Sequence, residues 1–177
     1  KIDATKIAWG FFLLIFGLFE KLIMSDCLLA PVADMLFNKE GTPDIISAWT
    51  GSLAFTGQIF FDFAGYSTCA IGVALCLGFT LPKNFKYPYA AIGFSDFWRR
   101  WHISLSSWLR DYLYISLGGN KKGIVRTYIN VMLTMLLGGL WHGASWTFIA
   151  WGALHGFYLV IERFLKNIVP DSRAWAK

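Results

Sequence analysis

The chain has little of what metal and redox proteins rely on. Its three cysteines (Cys27, Cys69, Cys76) are odd in number, lie in apolar runs and show no C-x-x-C spacing. They read as small packing residues rather than as a disulfide framework or a metal site, and no metal is expected. No G-x-S-x-G segment is present, so a serine nucleophile on a strand–helix elbow is not available. The start carries no short apolar core followed by a small-residue cleavage site, so no signal peptide is read there. Self-similar halves, the mark of repeat-built transporters, are not found either. Charged residues make up only 15% of the chain, and 11 acids face 16 bases. The first residue is Lys1 rather than methionine, and the chain reads as an internal piece of a longer membrane protein.

What is present is apolar and aromatic. Hydrophobic residues reach 56% and aromatics 18%, with nine tryptophans and seven tyrosines. The mean hydropathy is +0.49, which few soluble domains of this length show. Tryptophan and tyrosine at this frequency suit a protein with much surface at lipid–water boundaries. Eight bases stand against two acids between Lys83 and Arg126. Apolar and aromatic residues interrupt that run throughout, so it reads as a cytoplasmic, headgroup-facing region and not as a nucleic-acid site.

The expected architecture is an all-α polytopic transmembrane bundle with re-entrant or interfacial amphipathic helices, a partial catalytic domain over 1–177. A span needs about twenty apolar residues. Ile7 to Met24 makes the first, with Glu20-Lys21 near its end, and Asp26 to Phe37 becomes a short interfacial or re-entrant piece. A polar loop follows over Asn38 to Asp44. Ile45 to Leu81 exceeds one helix and is read as two pieces meeting near Gly65, with Asp62 at the junction. That carboxylate has two readings, a cap on exposed backbone donors or a polar wall of a substrate cavity. Phe97 to Leu113 is read as one amphipathic interfacial helix, Trp101, Leu105 and Trp108 on one face and Arg99, His102, Ser106 and Arg110 on the other. Spans over Ile124 to Trp141 and Trp146 to Leu165 form a hairpin with bases at both ends on one side, the positive-inside pattern.

Two of the three histidines lie in strongly apolar segments. His142 sits in Gly138-Gly139-Leu140-Trp141-His142-Gly143-Ala144, and His155 in Trp151-Gly152-Ala153-Leu154-His155-Gly156. An ionisable side chain at membrane depth is costly and marks a functional site by default. At about 1.5 Å per residue, His142 falls roughly 27 Å from Ile124 and His155 roughly 14 Å from Trp146, as if spaced along a channel. Two other classes compete with an enzyme. One is a proton-relay transporter built on the histidines and Asp62; the other is a structural subunit whose histidines only hydrogen-bond between helices.

The strings from Phe97-Trp98-Arg99-Arg100-Trp101-His102 to Asp111-Tyr112-Leu113-Tyr114, then Leu117-Gly118-Gly119-Asn120 and Trp141-His142-Gly143, together with Phe61-Asp62-Phe63-Ala64-Gly65-Tyr66-Ser67, resemble the membrane-bound O-acyltransferase superfamily. The likeness runs from about Ile7 to Arg163. It is closest to the alginate O-acetyltransferase membrane subunit and other bacterial exopolysaccharide acetylases. Teichoic acid D-alanyl transferases share the Phe-Trp-Arg-Arg-Trp-His theme. The sequence departs locally at Ala64 and Thr68-Cys69, where many relatives carry Ser and Asp-Met.

The resemblance implies transfer of an acyl group, acetyl in the first instance, to a sugar hydroxyl outside the cytoplasmic membrane. It implies a multi-pass protein of the inner membrane, working with a periplasmic or extracellular acceptor or transferase partner. The family's essential histidine maps onto His142 and a second family histidine onto His155. Arg99, Arg100, His102, Arg110, Trp141 and Asp62 are the candidates for holding substrate or donor, the arginines either on an anionic carrier such as acetyl-CoA or on anionic lipid. No cofactor is expected to be resident. His142 acts either as general base or as transient acyl carrier, and the sequence leaves both open.

Overall fold

The computed structural model describes residues 3–38 and 41–169. All regular structure among them is helical, and the chain divides into two compact units, Lys1–Asn84 and Phe85–Lys177. Four helical segments are long and apolar enough to cross a bilayer: Ala4–Phe37, Ile45–Cys76, Ile124–His142 and Trp146–Ile168. The protein is an all-helical, multi-pass membrane protein.

In the first unit the helix does not stop at Glu20-Lys21. Helix α1 (Ala4–Leu18) runs into a π-helical stretch, Phe19–Leu29, and on into α2 (Ala30–Phe37). The expected break, with a separate interfacial piece over Asp26 to Phe37, is corrected, and the reason is electrostatic. Both charges find partners inside the protein, so neither forces the chain out to water. Thr68 donates to the Glu20 carboxylate at 3.0 Å. The Lys21 ammonium reaches Asp62 at 2.5 Å and Asp26 at 2.9 Å. Lys21 and Asp26 are five residues apart, the spacing that a π-helical turn stacks one above the other.

Helix α3 (Ile45–Cys76) is a single helix of 32 residues. The expected junction near Gly65 is therefore corrected, and Asp62 lies in mid-helix. Gly65 serves close packing instead. A Cβ placed on it would lie 2.6 Å from the Gly17 carbonyl oxygen, and one on Gly17 would lie 2.6 Å from that of Gly65. Gly10 and Gly72 repeat the arrangement one heptad away, a Cβ on Gly72 lying 2.6 Å from the Gly10 carbonyl oxygen. Small residues in register let two helix backbones touch, which is how helices associate where lipid is as apolar as leucine.

In the second unit, the interfacial helix expected over Phe97 to Leu113 is broken. Helix α4 (Phe94–Arg100) stops at Trp101, which is extended, and His102 turns the chain with a left-handed backbone, φ 42° and ψ 56°. Helix α5 (Ile103–Trp108) follows and passes into a π-helical turn, Leu109–Tyr114. A two-faced pattern read at 100° per residue does not survive such a break. The hairpin is as expected at its start and slightly longer at its ends, with α6 spanning Ile124–His142 and α7 spanning Trp146–Ile168.

Candidate active site

Helix α6 enters the apolar region with most of its polar groups tied back to the backbone, the Asn130 Oδ1 being buried without a partner among the described residues. Thr127 donates to the Gly123 carbonyl at 2.9 Å and Thr134 to that of Asn130 at 2.7 Å. The fully buried Asn130 donates to the Gly119 carbonyl at 3.0 Å, tying the Gly118-Gly119 turn to the helix. Helix α6 ends on His142 because Gly143 leaves the helical region, and Ser145 caps α7 by accepting from the Thr147 N–H. The two helices then run back to back over glycine. A Cβ on Gly139 would lie 3.2 Å from the Gly152 Cα, and one on Gly152 would lie 3.3 Å from the Gly139 Cα. That close approach sets the end of α6 beside the first turns of α7.

The His142 ring is fixed by one hydrogen bond, Nδ1 to the Gly138 carbonyl oxygen at 2.7 Å. A carbonyl only accepts, so Nδ1 carries the proton and neutral His142 has its lone pair on Nε2. Around the ring stand Trp141 at 5.0 Å between centroids, Trp151 at 5.1 Å and Phe148 at 6.3 Å. His142 lines a cavity of about 520 Å³. From α6 it shares that wall with Val131, Thr134, Met135 and Gly138; α7 contributes Trp151 and Leu159, and then Arg163, Lys166 and Asn167. Trp98, Arg99, Leu105, Leu109, Arg110 and Tyr114 complete most of the rest. Trp151 and Lys166 are separated by roughly 22 Å of helix, so the cavity has a histidine–tryptophan end and a basic end. No acid lines it.

The expected site residues separate into three groups. His142, Arg99 and Arg110 line the cavity. Trp141, His102 and His155 stand behind that wall through ring contacts. Trp141 lies 6.4 Å from His102 and 5.0 Å from His142, and His155 lies 4.8 Å from Trp151 and 5.3 Å from Trp98. Of the two histidines expected along one channel, His142 lines the cavity and His155 does not, and the Trp151 indole contacts both rings. Arg100 does not line the cavity, and Asp62 is a residue of the first unit. Arg100 is paired with Asp96 at 2.9 Å, and Asp62 holds Lys21. Asp62 lies in mid-helix rather than at a helix-end cap, as one arm of a helix-to-helix ion pair.

Several contributors escaped sequence reasoning. Glu162 is buried, accepts from the Ser95 N–H at 2.7 Å and pairs with Lys166, which pins the start of α4 to α7 and sets Trp98 against Trp151. Arg163 donates to the Tyr114 hydroxyl at 3.1 Å and faces the cavity. A signal was available for part of this. Trp151, His155, Glu162 and Lys166 recur at intervals of four, seven and four residues, which is one face of α7. Among the described residues no three His, Cys, Asp or Glu side chains gather as metal ligands, and the three cysteines are free.

His102 is half-buried at the break between α4 and α5, and burial pushes its imidazole below the usual value; the nearby His142 pushes the same way. A depressed imidazole is harder to protonate folded than unfolded. Its contribution to stability is therefore full above the ordinary value of ~6.5 and is lost as the pH falls through it. Asparagine tolerates the left-handed backbone and does not titrate. The parent protein carrying His102→Asn should lose less of its thermal midpoint between about pH 7.5 and about pH 5.5 than the wild type does. Equal losses would show that this imidazole does not set acid sensitivity.

The sequence model of the membrane-bound O-acyltransferase family matches residues 3–175. The probable alginate O-acetylase AlgI of Azotobacter vinelandii is 57% identical over 150 residues, 85% of this chain and 30% of that protein. The peptidoglycan O-acetyltransferase of Helicobacter pylori is 48% identical over 181 residues, 98% of this chain and 34% of that protein. The teichoic acid D-alanyltransferase of Streptococcus thermophilus is 44% identical over 127 residues, 66% of this chain and 31% of that protein. The chain therefore spans about a third of the length of these curated relatives. With a match over nearly all of its residues, the chain belongs to the membrane-bound O-acyltransferase family.

Proposed function

We propose that this chain carries the histidine centre of an O-acyltransferase that moves an acetyl group onto a hydroxyl of an extracellular polysaccharide. The observation that carries the reading is the bare Nε2 of His142, on a ring whose other nitrogen is committed to Gly138 and whose side chain lines the cavity. A hydroxyl entering at that end gives its proton to Nε2 while its oxygen attacks the acyl carbonyl. The tetrahedral intermediate then collapses, re-forming the carbonyl as the bond to the carrier breaks, and the imidazolium returns the proton to the departing sulfur or oxygen. General-base assistance of this kind is worth about 10²–10⁴-fold in rate. Direct acyl transfer to His142 would use the same nitrogen.

The imidazolium formed in that step has no carboxylate beside it. What supports its charge is position: His142 is the last residue of α6, where the unpaired carbonyls of a helix end favour a cation. The basic end of the cavity suits an anionic carrier, acetyl-CoA or another acyl carrier with phosphates, reaching in from the cytoplasmic side of the inner membrane. The acceptor side would engage a periplasmic or extracellular partner that receives the acetyl group. D-alanyl transfer is the second reading, supported by the D-alanyltransferase relative. The O-acetylating relatives match more of the chain at higher identity, which favours acetyl.

Membranes holding the parent protein and its acceptor polymer should move label from acetyl-CoA to polysaccharide ester; transfer that needs no acyl donor of this kind would defeat the reading. Arg99 tests the donor end. It lines the cavity and makes no ion pair among the described residues, whereas Arg100 is held by Asp96. Arg99→Glu should raise KM for acetyl-CoA by about tenfold or more, since reversing one charge–phosphate contact changes binding by well over 1 kcal/mol. An unchanged KM would leave Arg99 as a lipid anchor.

A further inference from the structure

All three histidines of the chain belong to one ladder of alternating imidazole and indole rings. In order it runs His102, Trp141, His142, Trp151, His155, Trp98, with successive centroids 6.4, 5.0, 5.1, 4.8 and 5.3 Å apart. Trp151 is the rung between the two intramembrane histidines, tilted 63° to the first and 54° to the second. It also lines the cavity beside His142. His155 is held mostly by rings, with Trp98, Trp151 and Tyr158 around it, and its buried Nδ1 has no hydrogen-bond partner.

The charged and titratable groups around His142 are, with the neighbouring histidines, basic except for the Tyr114 phenol. From the α4–α5 segment come His102, Arg99 and Arg110; from α7 come His155 and, further along, Arg163 and Lys166. The nearest acids are occupied, Asp96 by Arg100, Asp111 by Arg110 and Glu162 by Lys166 and the Ser95 N–H. A histidine base normally has a carboxylate that orients it and supports its charge. Here the orienting bond goes to a backbone carbonyl, and the groups in contact with the ring are aromatic. A cation within about 6 Å of an indole centroid is attracted by the ring quadrupole, more strongly once water is excluded.

We propose that Trp151 is a positioning residue for His142. Wedged between the two imidazoles, its indole keeps the His142 ring turned so that Nε2 faces the cavity, and it stabilises the imidazolium in place of a carboxylate. This rests on His142 being the base, and it goes further by giving a function to a residue that touches no proton itself.

The experiment uses the parent protein in membranes supplied with labelled acetyl-CoA and acceptor polymer, and reads kcat, KM and the pH–rate profile. Trp151→Leu should lower kcat about threefold, the worth of a cation–π contact at a solvent-accessible ring, leave KM for acetyl-CoA within about twofold, and displace the acid limb of the profile to lower pH. Trp151→Phe keeps a weaker aromatic face and should move both quantities the same way by less. It decides the matter alone if the leucine variant fails to accumulate. Unchanged kcat and acid limb in the variants that accumulate would overturn the proposal. So would a loss confined to KM, because Trp151 would then be cavity wall only. His142→Ala separates the two levels: if it is inactive while the Trp151 variants behave as wild type, only the role of Trp151 falls. If it is active, the base itself falls.

Discussion

Replacing His142 by alanine in the intact parent protein should remove polysaccharide O-acetyl ester almost completely, while the protein still accumulates in the membrane. The expected loss is at least a hundredfold, because no other group at the cavity can take over. His102 and His155 lie in the same ladder, but neither lines the cavity, and the indoles of Trp141 and Trp151 stand between them and His142. Abundance should survive, since the lost hydrogen bond frees only the Gly138 carbonyl, which already lies within helical hydrogen-bonding reach. Glutamine at 142 refines the reading. It keeps a polar group of similar reach but has no basic nitrogen, so it should be as inactive as alanine. Ester formation near the wild-type rate in either variant, at wild-type abundance, would exclude both the base and the acyl-carrier roles.

Some of this site is visible in the sequence and some is not, for identifiable reasons. The hairpin of α6 and α7 is legible because its apolar runs have the length of a membrane span and end on Gly143 and Ser145. His142 is conspicuous because an ionisable residue in such a run has few structural excuses. The break at His102 is hidden, since nothing about a histidine announces a left-handed backbone; only the contact with Trp141 and the packing of α4 on α7 explain it. The continuity of α1 through Glu20-Lys21 is hidden for the opposite reason. A charged pair reads as a helix end until Thr68 and Asp62, more than forty residues on, are known to meet it. Gly65 misled in the same way, because a glycine that permits contact and a glycine that permits a bend look alike in sequence. The Trp151 rung needed both helices in register before its contacts existed at all.

Gly152→Val should be strongly damaging, and its effect should reach the chemistry. The atoms a new Cβ would meet are backbone, the Met135 carbonyl and the Gly139 Cα at 3.3 Å, and backbone cannot swing aside. Between helices in lipid no hydrophobic driving force compensates for a widened gap, so packing lost there is not regained elsewhere. Overpacking a close contact costs about 1–3 kcal/mol, and a deficit of that size changes cellular abundance several-fold. The molecules that do accumulate should also transfer acetyl poorly, since separating α6 from α7 withdraws Trp151 and Phe148 from the His142 ring. Gly156 supplies the internal comparison. A Cβ there would meet the thioether of Met132 at 2.8 Å, the far end of a flexible side chain, and the Met135 Cβ at 3.3 Å. Gly156→Ala should therefore stay within about twofold of wild type in abundance and ester formation, by re-seating Met132. Membrane abundance, resistance to protease and ester per molecule, read for both variants, decide the point. If Gly152→Val accumulates and acetylates as Gly156→Ala does, the close backbone contact is not what holds the histidine end of the cavity together.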